Sequence, residues 1–258
     1  MTTVLVTGGT GFLAGWTIRR LLEKSYTVRT TVRSMAKADS VRNMLAKEHV
    51  DTSALSFAVA DLTKADGWDA AMEGIDYVLH VASPLGGNNH EDPTLIPTAK
   101  EGVEHVFSAA IKAGVKKIVM TSSEAANYPD KKDTNPAVNE DFWTGLNNKW
   151  ITNYQRSKVI AESEEMTMPE MARILKEAYP NRKISTIVIP DFVISVMAKF
   201  QVPMKVLNTM VGLKYYRDNT KARKLLGWTP RPAKETVLDT AQYLIDYKID
   251  LGVKSKSA

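Results

Sequence analysis

The stretch Thr3-Val4-Leu5-Val6-Thr7-Gly8-Gly9-Thr10-Gly11-Phe12-Leu13-Ala14-Gly15-Trp16 decides how the rest of the chain is read. Val4, Leu5 and Val6 form the short apolar run of a buried strand. A glycine turn follows, and Trp16-Thr17-Ile18-Arg19-Arg20-Leu21-Leu22 then repeats apolar residues at helical spacing. Strand, glycine turn and helix in that order open a βαβ unit whose turn binds phosphate. Such a turn is nearly free of side chains for two reasons. Glycine permits the tight backbone, and it lets a pyrophosphate reach the amides at the helix N-terminus, where the helix dipole favours negative charge.

The spacing is Gly8-x-x-Gly11-x-x-Ala14, one residue wider at its first gap than the G-x-G-x-x-G fingerprint. Ala14 stands where a third glycine would let helix and strand pack closely, with Gly15 beside it. Alone, this turn also fits an ordinary strand-to-helix connection, so the rest of the chain must agree with it.

At 258 residues the chain suits one large α/β domain, or one domain with a small lobe. Hydrophobic residues at 44% and charged residues at 24% exclude disordered and collagen-like classes. With no cysteine, disulfides and cysteine catalysis drop out, which fits a reducing, cytoplasmic setting. No eighteen-residue apolar run exists and the chain enters a strand directly after Thr2, so neither a membrane span nor a signal peptide is expected. The net charge of +5 is scattered in pairs such as Arg19-Arg20, Lys116-Lys117 and Lys131-Lys132. That pattern argues against nucleic acid and suits an anionic cofactor.

Further along, Tyr26 to Arg33 alternates and is rich in β-branched residues, predicting a second strand. An acid at the end of this strand would hydrogen-bond the ribose of NAD; an arginine accommodates the 2′-phosphate of NADP. The chain offers Arg33, Ser34 and Lys37, with no acid before Asp39, so NADP(H) is the expected cofactor. Residues 35–48 read as a helix, and Leu55 to Ala60 as a third strand ending in Asp61-Leu62. Asp61 either accepts from an adenine amino group, with Leu62 on the ring, or caps the turn. Ile75 to Val81 is the next strand, followed by the small residues Ala82-Ser83-Pro84 that let ribose and phosphates pass close to the backbone. His80 lies within an apolar strand, and the four histidines show no metal-ligand spacing, so it reads as a core residue and no metal is expected. A long helix is predicted over about 93–113, then a strand over 117–120 ending at Thr121-Ser122-Ser123, then a polar loop from Asn127 to Asn148.

Tyr154 and Lys158 are four apart, so a helix over about 150–162 puts them on one face. A free tyrosine titrates at about 10, and a neighbouring ammonium favours the phenolate, which makes a phenol a usable acid or base. Ser123, arriving from the preceding strand end, is placed to hydrogen-bond a carbonyl oxygen as charge develops on it.

The glycine turn of the form "TGGTGFL", Arg33, Asp61-Leu62, the Ser122-Ser123 strand end and Tyr154-x-x-x-Lys158, in that order, resemble the extended short-chain dehydrogenase/reductases. Within that superfamily they are most like dihydroflavonol 4-reductases and aldehyde/ketone reductases. The resemblance covers residues 1–161 and implies a Rossmann-type doubly wound parallel sheet with NADP-dependent reduction of a ketone or aldehyde to an alcohol. It implies Ser123, Tyr154 and Lys158 as the catalytic triad, and it moves Asp61 to adenine contact. The cofactor set it implies is Gly8, Thr10, Gly11, Phe12, Leu13, Arg33, Lys37, Asp61, Leu62, Val81, Ala82, Ser83 and Thr121, with Tyr154 and Lys158. The partner expected is a small carbonyl substrate, with no nucleic acid or membrane, for a monomer or homodimer.

After Ala161 the family pattern jumps. Members continue into another parallel strand with a proline-glycine turn; here 162–172 resembles a later region, with a helix over Pro169 to Tyr179 and a segment like Ile184 to Phe200. The close is also family-like, with Gly227 as a C-cap, Pro230 as a stop and a last helix near 235–247. Several tens of residues of the pattern are therefore absent between about 161 and 165. A Rossmann domain over 1–161 and an incomplete substrate lobe over 162–258 are expected. Two rival functions remain: an NAD-dependent nucleotide-sugar epimerase or dehydratase, which wants an acid at Arg33, and a non-catalytic cofactor-binding protein.

Overall fold

The computed structural model describes residues 1–87, 89–129, 137–139, 142, 144–145, 151–158, 216–227 and 229–246. The expected helix at 169–179, the segment at 184–200 and the break near 161–165 lie outside them. The chain divides into two compact units, Met1–Tyr128 with Trp143–Ala161, and Pro129–Phe142 with Glu162–Ala258.

The first unit is built on five parallel strands: β1 (Thr3–Val6), β2 (Thr27–Val32), β3 (Leu55–Val59), β4 (Tyr77–His80) and β5 (Lys117–Met120). Their order is β3-β2-β1-β4-β5, with Val4 opposite both Val28 and Tyr77. The connecting helices are α1 (Phe12–Glu23), α2 (Ala38–Lys47), α3 (Trp68–Met72) and α4 (Leu95–Lys112). This is the Rossmann-type α/β fold that the sequence implies.

Side chains alternate across β1, so its apolar run serves both faces of the sheet. Leu5 points into a core with Trp68, Met72, Val78, Val106 and Ala110, beneath α3 and α4. Val4 and Val6 point the other way, toward Ile18 of α1 and Val41 and Leu45 of α2. Ala14 lies in that second core, 1% exposed. The close helix approach falls one residue later, at Gly15, where a Cβ would sit 2.5 Å from Met44 Cε of α2. Pro97 is tolerated in the first turn of α4 because the N–H it lacks has no partner within the helix there.

β5 is an edge strand of the sheet among the described residues, and Val119 is 54% exposed. The structure departs from the sequence reading at the next α-helix. The Tyr–Lys helix, α5, spans only Asn153–Arg156 among the described residues and starts three residues later than expected. Its start is fixed by a capping box: Thr152 Oγ1 accepts from Gln155 N–H (3.2 Å) while Gln155 Oε1 accepts from Thr152 N–H (2.7 Å).

In the second unit, β6 (Ala137–Val138) pairs in parallel with β7 (Tyr216–Arg217), so the stretch expected as a polar loop carries a two-residue strand. Helix α6 (Thr220–Leu226) ends at Gly227, left-handed at φ +59, as expected for the C-cap, and α7 (Ala233–Asp246) follows.

Candidate active site

The order of the sheet reverses at β1, which has β2 on one side and β4 on the other. Open α/β sheets bind ligands outside the carboxyl ends of the strands at such a point. The glycine turn leaves β1 there and Val81-Ala82-Ser83 leaves β4.

Gly8 has φ +75, and a Cβ on it would lie 2.9 Å from Ala82 Cβ, so the turn and the β4 exit touch where no side chain fits. The Gly8 and Gly9 amides are already used, donating to Thr31 Oγ1 and Thr31 O (both 2.9 Å). What the turn presents to an anion is therefore the N-terminus of α1. Its N-cap is Gly11, no side chain caps it, and its first turn holds no acid. Phe12 and Leu13 stand exposed on this first turn. Thr10 is exposed within the glycine turn.

Arg33 follows the last residue of β2 and is exposed, as is Lys37, which closes a 3₁₀ turn begun at Met35. The Arg33 guanidinium acts on Asp61. The Asp61 carboxyl is held below the usual range, chiefly because Thr63 N–H donates to it, with Arg33 and Lys64 adding attraction. Thr63 N–H (3.0 Å) and Thr63 Oγ1 (2.9 Å) both bond Asp61 Oδ1, so this oxygen caps the turn. Leu62 is pinned by α4, where Gly102 leaves room for it: a Cβ there would be 2.9 Å from Leu62 Cδ2.

A cavity of about 370 Å³ opens between α4 and the ends of β4 and β5, and Leu62, Ala82, Ser83, Thr121 and Lys158 are among its lining. The structure thus brings five sequence-predicted residues together. Lys158 is 7% exposed, and its ammonium stands 5.2 Å from the centre of the Tyr154 ring. Burial lowers its pKa to about 8. Lys158 lies just beyond α5, its N–H bonded to Gln155 O (3.2 Å), so a closing turn rather than continuous helix sets it beside Tyr154. Ser123 is the N-cap of the Glu124–Ala126 turn, accepting from Ala125 N–H (3.2 Å), and α5 packs on that turn and on α4. Among the described residues, Ser123 makes no hydrogen bond to Tyr154 or Lys158.

Several residues that hold the site escape the sequence reading. Tyr154 N–H donates to His90 O (2.9 Å), and the His90 ring meets the Tyr154 ring edge-on at 4.8 Å. Asn153 Nδ2 donates to Glu91 O (2.9 Å), so the loop before α4 carries the start of α5. The T-x-x-Q pattern at Thr152 was the one local signal for this arrangement. Thr7 is the other omission. Its Oγ1 accepts from Val81 N–H (3.0 Å) and Ala82 N–H (2.9 Å), which occupies both lone pairs. Its proton therefore goes to His80 Nδ1 (2.9 Å), leaving His80 neutral with hydrogen on Nε2. Burial, with a smaller contribution from the Lys158 charge, pushes His80 down to about 4.

Fold, switch point and glycine turn define a Rossmann-type nucleotide-binding protein. Residues 4–170 match the NAD dependent epimerase/dehydratase family, and the chain belongs to it. It is 39% identical over 145 residues to cinnamoyl-CoA reductase 2 of Arabidopsis thaliana, covering 55% of this chain and 42% of that protein. It is 35% identical over 174 residues to dihydroflavonol 4-reductase of Callistephus chinensis, covering 64% of this chain and 46% of that protein. The chain thus spans about half the length of the curated relatives it matches. The yeast methylglyoxal/isovaleraldehyde reductase Gre2, solved with NADPH, superposes with a TM-score of 0.65 at 20% identity, over 96% of this chain and 99% of that one. That likeness shows the fold.

Proposed function

We propose that this chain is an NADPH-dependent reductase that reduces a ketone or aldehyde to an alcohol. The observation that carries the reading is the buried Lys158 ammonium facing the Tyr154 ring beside the cavity at the ends of β4 and β5. The relatives named above as reductases, and the NADPH bound in Gre2, support it.

The residues present fit the cofactor. The Gly8–Ala82 approach and the side-chain-free N-cap at Gly11 suit a pyrophosphate, and Arg33 with Lys37 suits a 2′-phosphate. Asp61 and Leu62 serve the adenine, and Val81, Ala82, Ser83 and Thr121 the ribose and phosphate path. When bound, NADPH supplies the hydride that goes to the carbonyl carbon. Tyr154 gives its phenolic proton to the carbonyl oxygen as the C=O π electrons move onto it. The Lys158 ammonium favours the phenolate left behind. Ser123 Oγ accepts from Ala125 N–H, so its own proton is available to the carbonyl oxygen, which it orients.

Cofactor consumption with a panel of aldehydes and ketones tests this reading. The parent chain is expected to oxidise NADPH and form alcohol in equal amounts. Arg33→Ala is expected to raise KM for NADPH about tenfold and that for NADH by less than about twofold, the loss of one charge-assisted phosphate contact. Equal effects on both cofactors would contradict the 2′-phosphate contact. A second reading is favoured by the chain's spanning only about half the length of its relatives: saturable NADPH binding with no turnover would make it a cofactor-binding protein without catalysis.

A further inference from the structure

The Lys158 ammonium sits in a setting that offers it little. It is 7% exposed, and His80, Lys100, Glu104 and Arg156 line the same cavity, with the Tyr154 ring at 5.2 Å. Lys100 and Arg156, being cations, offer it no acceptor. His80 accepts nothing from it, because Nδ1 takes the Thr7 proton and Nε2 carries the remaining hydrogen. Glu104 is drawn to Lys100 (3.8 Å). Among the described residues the ammonium has one hydrogen-bond acceptor, Ser83 Oγ.

We infer that Ser83 is a positioning residue for Lys158: its hydroxyl holds the ammonium against the Tyr154 ring, in addition to any contact with cofactor. The inference rests on Lys158 being the lysine of the proposed reductase site. Ser83 is itself held. It follows Ala82, whose N–H, like that of Val81, is bonded to Thr7 Oγ1, so the β4 exit is tied to the first residue after β1. The glycine-turn side of the cofactor site and the lysine on its far side are thereby linked through two side-chain hydroxyls.

An oxygen that accepts from an ammonium stabilises the charged form. Without it, a buried Lys158 gives up its proton more readily or turns toward solvent. Ser83→Thr keeps the hydroxyl; Ser83→Ala removes it. The direct test follows the Lys158 Cε–Hε resonance by heteronuclear NMR across pH in the full chain, assigned by its disappearance in Lys158→Arg. In the parent this lysine is expected to titrate near 8, the value that burial sets. Ser83→Ala is expected to titrate lower and Ser83→Thr like the parent. In turnover, Ser83→Ala is expected to lose about tenfold in kcat, the worth of one hydrogen bond to a charged group, with KM for NADPH within about twofold.

The inference is overturned if Lys158 titrates identically in Ser83→Ala and the parent. It is equally overturned if Ser83→Ala raises KM for NADPH with kcat unchanged, which would make Ser83 a cofactor contact alone. Lys158→Met separates this failure from that of the underlying reading: full turnover in that variant removes Lys158 from catalysis whatever Ser83 does to its titration. The NMR arm decides even where turnover is absent.

Discussion

Thr7 and His80 face each other across the ends of β1 and β4, and the burial of the His80 ring makes it one source of acid sensitivity in the fold. His80 titrates at about 4 in the fold, against 6.5 for a free histidine. Between those values the unfolded chain binds a proton that the folded chain refuses, so stability rises with pH across that window and is lost as pH falls through it. The full loss is roughly 3 kcal/mol, from the pKa difference at about 1.4 kcal/mol per unit. Urea unfolding at neutral pH and again near pH 4 checks it: the parent is expected to lose more stability on acidification than His80→Gln, and equal losses would contradict the assignment. Lys158 is likewise a buried group, and the proposed function gives it a use. An ammonium kept from water costs stability, and such a cost is tolerated where chemistry needs it.

At the scale of elements, the glycine turn is where sequence and structure agree most closely, because its constraint is steric. Gly8 must be left-handed and must leave room for Ala82. Gly74 is also left-handed, at φ +70, but a Cβ there meets nothing within 4 Å. Gly8→Ala and Gly74→Ala therefore share the conformational cost of about 1–2 kcal/mol, and only Gly8→Ala adds a clash. Denaturant unfolding is expected to show the larger loss for Gly8→Ala, and a fluorescence titration to show weakened NADPH binding in that variant alone. Parent-like binding by Gly8→Ala would contradict the placement of the cofactor at this turn. The Tyr–Lys element was less legible. Its four-residue spacing was read as a shared helix face, whereas α5 closes at Arg156 and Lys158 approaches Tyr154 from the following turn. The Thr152–Gln155 capping box is a local pattern, but the support of α5 by His90 and Glu91 is not registered by spacing, because those residues are far from α5 in sequence.

For the whole molecule, the doubly wound parallel sheet was legible through the family resemblance, while the order β3-β2-β1-β4-β5 of its described strands came from the structure. The exposure of β5 was not readable: Lys117-Ile118-Val119-Met120 looks like any core strand, and what covers a strand is decided by chain elsewhere. His80 lay among apolar neighbours and read as a core residue, yet only the fold reveals that Thr7 satisfies it. The chain spans about half the length of its curated relatives, so the reading of a working reductase rests most heavily on one side chain. The most direct test compares Tyr154→Phe with the parent, measuring NADPH binding and carbonyl-dependent NADPH oxidation on the same preparations. The account predicts that Tyr154→Phe binds NADPH within about twofold of the parent and loses turnover by about a hundredfold or more, the range for removing a positioned proton donor. Turnover at the parent rate in Tyr154→Phe would contradict it.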